Sequence, residues 1–169
     1  MNDWAHIIVN GLKEADISFV SGVPDSALSK VINLLERDDY FTVVPASREE
    51  EAIGIAVGAY VSGVRSAVYM QSSGVGNSIN AIASLCLPAR IPIPMLINLR
   101  GEVGEFNISQ VFMGRSTPKI FDEFNIPTYI LDSDVKLHEK VTGALKLCYA
   151  SHQPLAMCLT PLLHGGKNA

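Results

Sequence analysis

The sequence predicts an α/β fold: a single doubly wound, mainly parallel six-stranded sheet with helices on both faces. Two observations carry this. Segments of strand length and segments of helical periodicity alternate along the chain with short links throughout, the pattern of a parallel sheet covered on both sides. The chain is also 48% hydrophobic and only 18% charged, so its core is large for 169 residues, about one domain's worth. No linker, repeat or low-complexity segment divides it. Residues 1–169 are therefore expected to form one domain, with a flexible tail from about 162 to 169.

A first helix is expected over residues 3–15, where Trp4, Ile7, Ile8, Gly11, Leu12 and Ala15 recur at helical spacing. Residues 17–20 read as a short buried strand. It runs into Ser21-Gly22-Val23-Pro24-Asp25-Ser26, a strand-to-helix turn. Asp25 or Ser26 can cap the following helix, whose inner face is Ala27, Leu28, Val31, Leu34 and Leu35. Residues 40–45 form the next strand, and the helix that opens at Glu49 ends near Gly63. Residues 66–71 are strand again, and residues 72–77 turn into a helix carrying Ile79, Ile82, Ala83 and Leu85. A proline-edged strand over residues 92–98 is followed by a polar loop, residues 100–107, leading to Gln110 and Gly114. A helix over residues 117–124, a strand over 127–131, a helix over 135–150 and a strand over 155–159 complete the set.

Composition excludes several functions. The net charge of −4 argues against a nucleic-acid footprint. No apolar run reaches the roughly 18 residues of a membrane span, and Asp3, His6, Lys13 and Glu14 interrupt any signal-peptide pattern. Cys86, Cys148 and Cys158 lie in apolar surroundings without metal-ligand spacing, as reduced core thiols of a cytoplasmic protein do. His6, His138, His152 and His164 are scattered and have no evident partner, so surface or helix-end roles are expected. No serine–histidine–acid set and no metal cluster can be assembled.

The residue out of keeping with its surroundings is Glu49. At 100° per residue, Ala52, Ile53, Ala56 and Tyr60 fall within about 60° of it, so it stands at the centre of an apolar stripe. Glu50 and Glu51 fall outside the stripe's centre, where a helix N-terminus welcomes acids. A buried carboxylate costs several kcal/mol unless something pairs with it, which makes Glu49 a functional candidate. Parallel sheets bind ligands at the carboxyl ends of their strands. Four polar segments land there: residues 22–26, 47–49, 71–77 and 100–110. Ser73-Gly74-Val75-Gly76-Asn77 is neither a P-loop nor a dinucleotide fingerprint, and reads equally as a tight turn with close backbone packing.

Together these segments resemble the pyrimidine-binding domain of thiamine-diphosphate-dependent 2-oxoacid decarboxylases. In that family a glutamate lies nine residues before a glycine–aromatic pair in an alanine-rich helix. Here Glu49 precedes Gly58 by nine, with Ala59-Tyr60 following. The family's Ser-Gly-Pro-Gly-x-x-Asn turn resembles Ser73-Gly74-Val75-Gly76-Asn77-Ser78-Ile79-Asn80, with valine in place of proline. Gly22-Val23-Pro24-Asp25-Ser26, Tyr69-Met70-Gln71, Ile93-Pro94-Met95, Arg100-Gly101-Glu102 and the Gln110 to Gly114 spacing are similar to phosphonopyruvate and sulfopyruvate decarboxylases.

The resemblance implies thiamine diphosphate as cofactor, its pyrimidine half held here by Glu49, Gln71, Ser73, Gly74 and Asn77. Glu49 is then catalytic, hydrogen-bonding N1′ of the aminopyrimidine. Asp25, Ser26, Arg100 and Gln110 become candidate contacts to a small anionic 2-oxoacid, although Arg100 can equally pair with Glu102 or Glu105. The loop around Arg100 has only Val103, Phe106 and Ile108 as apolar anchors, so it is expected to be mobile and to close over substrate. The chain lacks a Gly-Asp-Gly motif. The resemblance thus implies a separate β subunit carrying Gly-Asp-Gly, the diphosphate and Mg²⁺, with α chains also associating with one another. The implied identity is the α subunit of a decarboxylase converting 3-sulfopyruvate to sulfoacetaldehyde and CO₂, as in coenzyme M-type pathways. A split phosphonopyruvate decarboxylase is one alternative. A non-catalytic binding or regulatory protein is another, against which the retained acid argues.

Overall fold

The computed structural model describes residues 3–165. In chain order the elements are α1 (Trp4–Glu14), β1 (Phe19–Gly22), α2 (Ser29–Glu36), β2 (Thr42–Pro45), α3 (Glu49–Val61), β3 (Ser66–Gln71) and α4 (Ser72–Ala81). A π-helical stretch (Ile82–Cys86) continues α4, followed by β4 (Pro94–Asn98), α5 (Ile108–Glu123), β5 (Thr128–Leu131), α6 (Leu137–Ser151), β6 (Leu155–Leu159) and α7 (Pro161–His164). The six strands form one sheet in the order β2-β1-β3-β4-β6-β5, and every neighbouring pair is parallel.

Side chains alternate across a strand, so each strand feeds two cores. Ala67 and Tyr69 of β3, Leu96 of β4 and Met157 of β6 join the core under α1, α2 and α6. Val68 and Met70, Met95 and Ile97, and Ala156 and Cys158 join the other, under α3, α4 and α5. The expected doubly wound sheet is therefore present. β1 lies between β2 and β3, so the chain leaves β1 in one direction and returns past it to build the rest of the sheet. That reversal opens a crevice at the carboxyl ends of β1 and β3, where ligands of such sheets bind.

Three expectations change. Residues 72–77 are not a turn before a helix: α4 begins at Ser72, so both glycines lie in its first two turns. Helix α5 starts at Ile108, not at 117, because the Asn107 side chain caps it by accepting the Ser109 N–H at 3.1 Å. Pro118 then sits inside the helix, where the hydroxyl of Thr117 donates to the carbonyl of Met113 at 2.8 Å. Finally, the tail expected to be flexible is helical through His164, with Leu163 packed on the first core. Residues 166–169 of that tail lie outside the described residues.

Helix α5 crosses the backbone of Arg100 at Gly114, where a Cβ would collide with the Arg100 carbonyl. Gly114→Ala is expected to lower stability by about 1–3 kcal/mol, the range for overpacking a close contact. Urea unfolding of the chain measures this, and an unchanged midpoint would mean that α5 does not rest there.

Candidate cofactor and substrate site

The crevice between β1 and β3 is flanked by the start of α3. Arg48 is extended, and Glu49 opens the helix. Its neighbours stay on the surface: Glu50 pairs with Arg48 at 2.9 Å, and Glu51 accepts the Ser47 N–H at 2.8 Å. Glu49 is only 9% exposed, with Ala52, Ile53, Ala56 and Val57 buried behind it on the same helix. Its side chain lies across Gly74, where any Cβ would collide with the Glu49 carboxyl. That close approach explains the glycine. Asn77, one turn further along α4, donates its Nδ2–H to Glu49 Oε2 at 3.3 Å. Among the described residues no cation pairs with Glu49, and no other side chain hydrogen-bonds it.

Across the crevice, β3 ends at Gln71 and β4 runs into Arg100. Arg100 is 6% exposed. Its Nε and Nη2 donate to the two oxygens of Glu105, at 2.5 and 2.8 Å, in a bidentate pair. Its Nη1 lies 3.5 Å from Gln71 Oε1, and its backbone N–H donates to Ser72 Oγ at 3.2 Å. Glu105 also accepts the N–H groups of Gly101, Phe106 and Asn107. The Arg100 hydrogen bonds, reinforced by these N–H groups, hold the Glu105 carboxyl down at about 2. Of the two partners foreseen for Arg100, the structure takes Glu105. Val103, Phe106 and Ile108, expected as apolar anchors, are exposed. The loop is tied by its buried ion pair instead.

Asp25 sits in the turn after β1, buried, its Oδ1 accepting the N–H groups of Ala27 and Leu28 at 2.7 and 3.3 Å. The expected capping of α2 does not occur: α2 begins at Ser29 after Leu28 with no side-chain cap, and Asp25 instead ties the turn that precedes it. The fully buried Asn98, at the end of β4, donates to the same oxygen at 2.9 Å, and its own Oδ1 lies 3.2 Å from His164 Nε2. Ser26 is exposed, and Ser73 is half-buried on α4. Gln110, in the first turn of α5, has a buried Oε1 without a partner among the described residues. The histidines are less isolated than expected, since His138 also meets Glu14 at 2.9 Å. Asn98, His164 and Ser72 were not anticipated as members of this cluster, and Glu105 was foreseen only as a pair for Arg100. Burial pushes the thiols of Cys86, Cys148 and Cys158 upward.

Residues 2–101 match the family described as thiamine pyrophosphate enzyme, N-terminal TPP binding domain. The chain belongs to this family. It is 39% identical over 155 residues to the sulfopyruvate decarboxylase subunit alpha of Methanocaldococcus jannaschii, covering 92% of each chain. It is 34% identical over 158 residues to a phosphonopyruvate decarboxylase of Streptomyces viridochromogenes, covering 93% of this chain and 36% of that one. A solved 2-oxoglutarate:ferredoxin oxidoreductase from Magnetococcus marinus superposes with a TM-score of 0.74 at 12% identity. The match covers 96% of this chain and 29% of that one, a likeness of fold. Among the described residues no group of three or more His, Cys, Asp or Glu is placed to hold a metal ion, and no helix is long and apolar enough to cross a membrane.

The depressed Glu105 carboxyl has a signed consequence. A group held below its ordinary 4.5 stabilises the fold above that pH and loses its contribution as pH falls toward about 2. Wild type is therefore expected to be more stable than Glu105→Gln at pH 6, with the two converging toward pH 2. Thermal melts across that range test it; a constant difference would mean that the ion pair is not the source.

Proposed function

We propose that this chain is the cytoplasmic α subunit of a thiamine-diphosphate-dependent decarboxylase converting 3-sulfopyruvate to sulfoacetaldehyde and CO₂. The observation that carries the reading is Glu49. It is a carboxylate buried at the binding crevice of a thiamine pyrophosphate enzyme domain, without a cation among the described residues. Such a group suits an aminopyrimidine ring nitrogen, which can share a proton with it. Gly74 leaves room for the carboxyl, and Asn77 holds Oε2 while Oε1 has no hydrogen bond from a described residue. The residues fit the cofactor's pyrimidine half. End-to-end likeness to a sulfopyruvate decarboxylase α subunit supports the substrate assignment.

Thiamine diphosphate, when bound, supplies the carbon nucleophile and electron sink that decarboxylation of a 2-oxoacid needs. The work of this chain is to orient and to manage protons. Glu49 would hold a proton at N1′ of the pyrimidine. Gln71, Ser73, Gly74 and Asn77 would form the surface offered to that ring. Arg100 and Gln71 offer donors to the substrate's anionic groups, with Asp25, Ser26 and Gln110 at the margins of the same crevice. Arg100 can receive an anion only by sharing or exchanging Glu105. Diphosphate and Mg²⁺ are assigned to a β subunit carrying Gly-Asp-Gly, which faces these carboxyl-end loops, and α chains associate with one another as well. Phosphonate and sulfonate make similar demands on Arg100, and the likeness to a phosphonopyruvate decarboxylase keeps that substrate in the assay.

In the reconstituted αβ complex, Glu49→Gln is expected to keep assembly and lose about 10²–10⁴ in turnover, the range for a proton-transferring group. A coupled aldehyde assay with both 2-oxoacids reads turnover and substrate together. Near-normal turnover would remove Glu49 from the chemistry. Preference for phosphonopyruvate would reassign the substrate.

A further inference from the structure

The polar side chains at the ends of β1 and β4 form a line of hydrogen bonds with a fixed direction. An ionised carboxylate only accepts, so Asn98 must present its amide nitrogen to Asp25 Oδ1, at 2.9 Å. That orientation turns the Asn98 oxygen toward His164 Nε2, 3.2 Å away. An amide oxygen cannot donate, so Nε2 must carry the hydrogen. The tautomer of His164 is thus dictated by a carboxylate two residues along the line.

This line exceeds what a turn requires. Asp25 Oδ1 already accepts the two N–H groups of its own turn, from Ala27 and Leu28. The third donor comes from Asn98, fully buried in an otherwise apolar strand end. A leucine there would serve the core better, since burying an amide costs free energy unless it is hydrogen-bonded on both sides. His164 arrives from α7, half-buried, its ring 6.2 Å from that of Trp4. With Oδ1 saturated by three donors, Oδ2 receives no hydrogen bond from any described residue.

We propose that Asn98 and His164 are positioning residues for Asp25, fixing its carboxylate with Oδ1 occupied and Oδ2 left for the ligand in the crevice. What Oδ2 meets there, the 2-oxoacid or the cofactor, rests on the decarboxylase reading; the line itself does not. Among the described residues, the charged groups that act on His164 include Asp25, from the turn after β1, and Arg100, from the end of β4. Asp3, Asp132 and Asp134 line a cavity of about 440 Å³ beside α7. Burial pushes the His164 pKa down, Asp25 raises it and Arg100 lowers it, with burial prevailing. The ring is therefore neutral at neutral pH, and its single hydrogen sits on Nε2.

Two measurements test this. In the full chain labelled with ¹⁵N-histidine, NMR at pH 7.5 is expected to show His164 as the Nε2–H tautomer, assigned by its disappearance in His164→Gln. Asn98→Leu is expected to abolish that fixed tautomer. An Nδ1–H tautomer in wild type, or an unchanged His164 signal in Asn98→Leu, would overturn the proposal. In the reconstituted complex, His164→Leu is expected to lower kcat/KM by about 10- to 100-fold, as misplacement of a reacting partner does. His164→Gln, whose amide nitrogen can replace Nε2 as donor to Asn98, is expected to restore most of that loss. Equal losses in both variants, or none in either, would contradict positioning. A wild-type complex without decarboxylase activity would refute the decarboxylase reading and leave the NMR result to decide the line.

Discussion

A carboxylate buried at the start of an apolar helix is the constraint around which this molecule is arranged. Removing Glu49 from water costs several kcal/mol unless it is compensated. The compensation visible in the chain is partial. The N-terminus of α3 offers about 0.3–1 kcal/mol to an acid in its first turn, and one hydrogen bond to a charged group adds about 1.5–3 kcal/mol. Asn77 supplies that one bond. The four-carbon path from backbone to carboxyl also has to pass over α4, and only a glycine at 74 lets it through. The fold therefore holds the acid in place without neutralising it.

The sheet places this acid where a ligand can reach it. β1 separates β2 from β3, and in such sheets ligands bind at the carboxyl ends of the strands where the strand order reverses. Two hydrogen-bonded clusters border the gap: Arg100 with Glu105, Gln71 and Ser72, and Asp25 with Asn98 and His164. Each ties a loop to the end of a strand through polar groups. Apolar packing stabilises the two cores below the gap, whereas directional bonds set the geometry above them. The loop over residues 100–107 illustrates this, since its large apolar side chains face solvent while Glu105 is buried.

Much of the architecture was legible from the sequence. Six parallel strands and the burial of Glu49 followed from periodicity alone, because both depend on local spacing. Strand β3 and strand β6 were placed at their observed bounds. The start of α4 was misread because two glycines within five residues signal a turn, whereas here Gly74 is set by the carboxyl of another helix. The start of α5 lies at Ile108 rather than at 117 because Asn107, inside a segment read as a polar loop, caps it. Asn98 was hidden in an apolar run, and His164 in a segment taken for a frayed end. Glu105 was one of two acids open to Arg100, and spacing did not choose between it and Glu102. Asn98 and His164 acquire their partners from side chains far along the chain, so no single-segment pattern reveals them, whereas Glu105 pairs with Arg100 only five residues away. The family resemblance supplied the cofactor, which periodicity could not.

If this chain contributes only the pyrimidine half of a shared site, cofactor affinity must depend on a second chain. The most direct measurement is calorimetric titration of thiamine diphosphate with Mg²⁺ into the chain alone and into the chain mixed with its β partner. The expected result is weak binding, without Mg²⁺ dependence, for the chain alone and tight Mg²⁺-dependent binding for the pair. Micromolar, Mg²⁺-dependent binding to the chain alone would contradict the division of the site between two subunits.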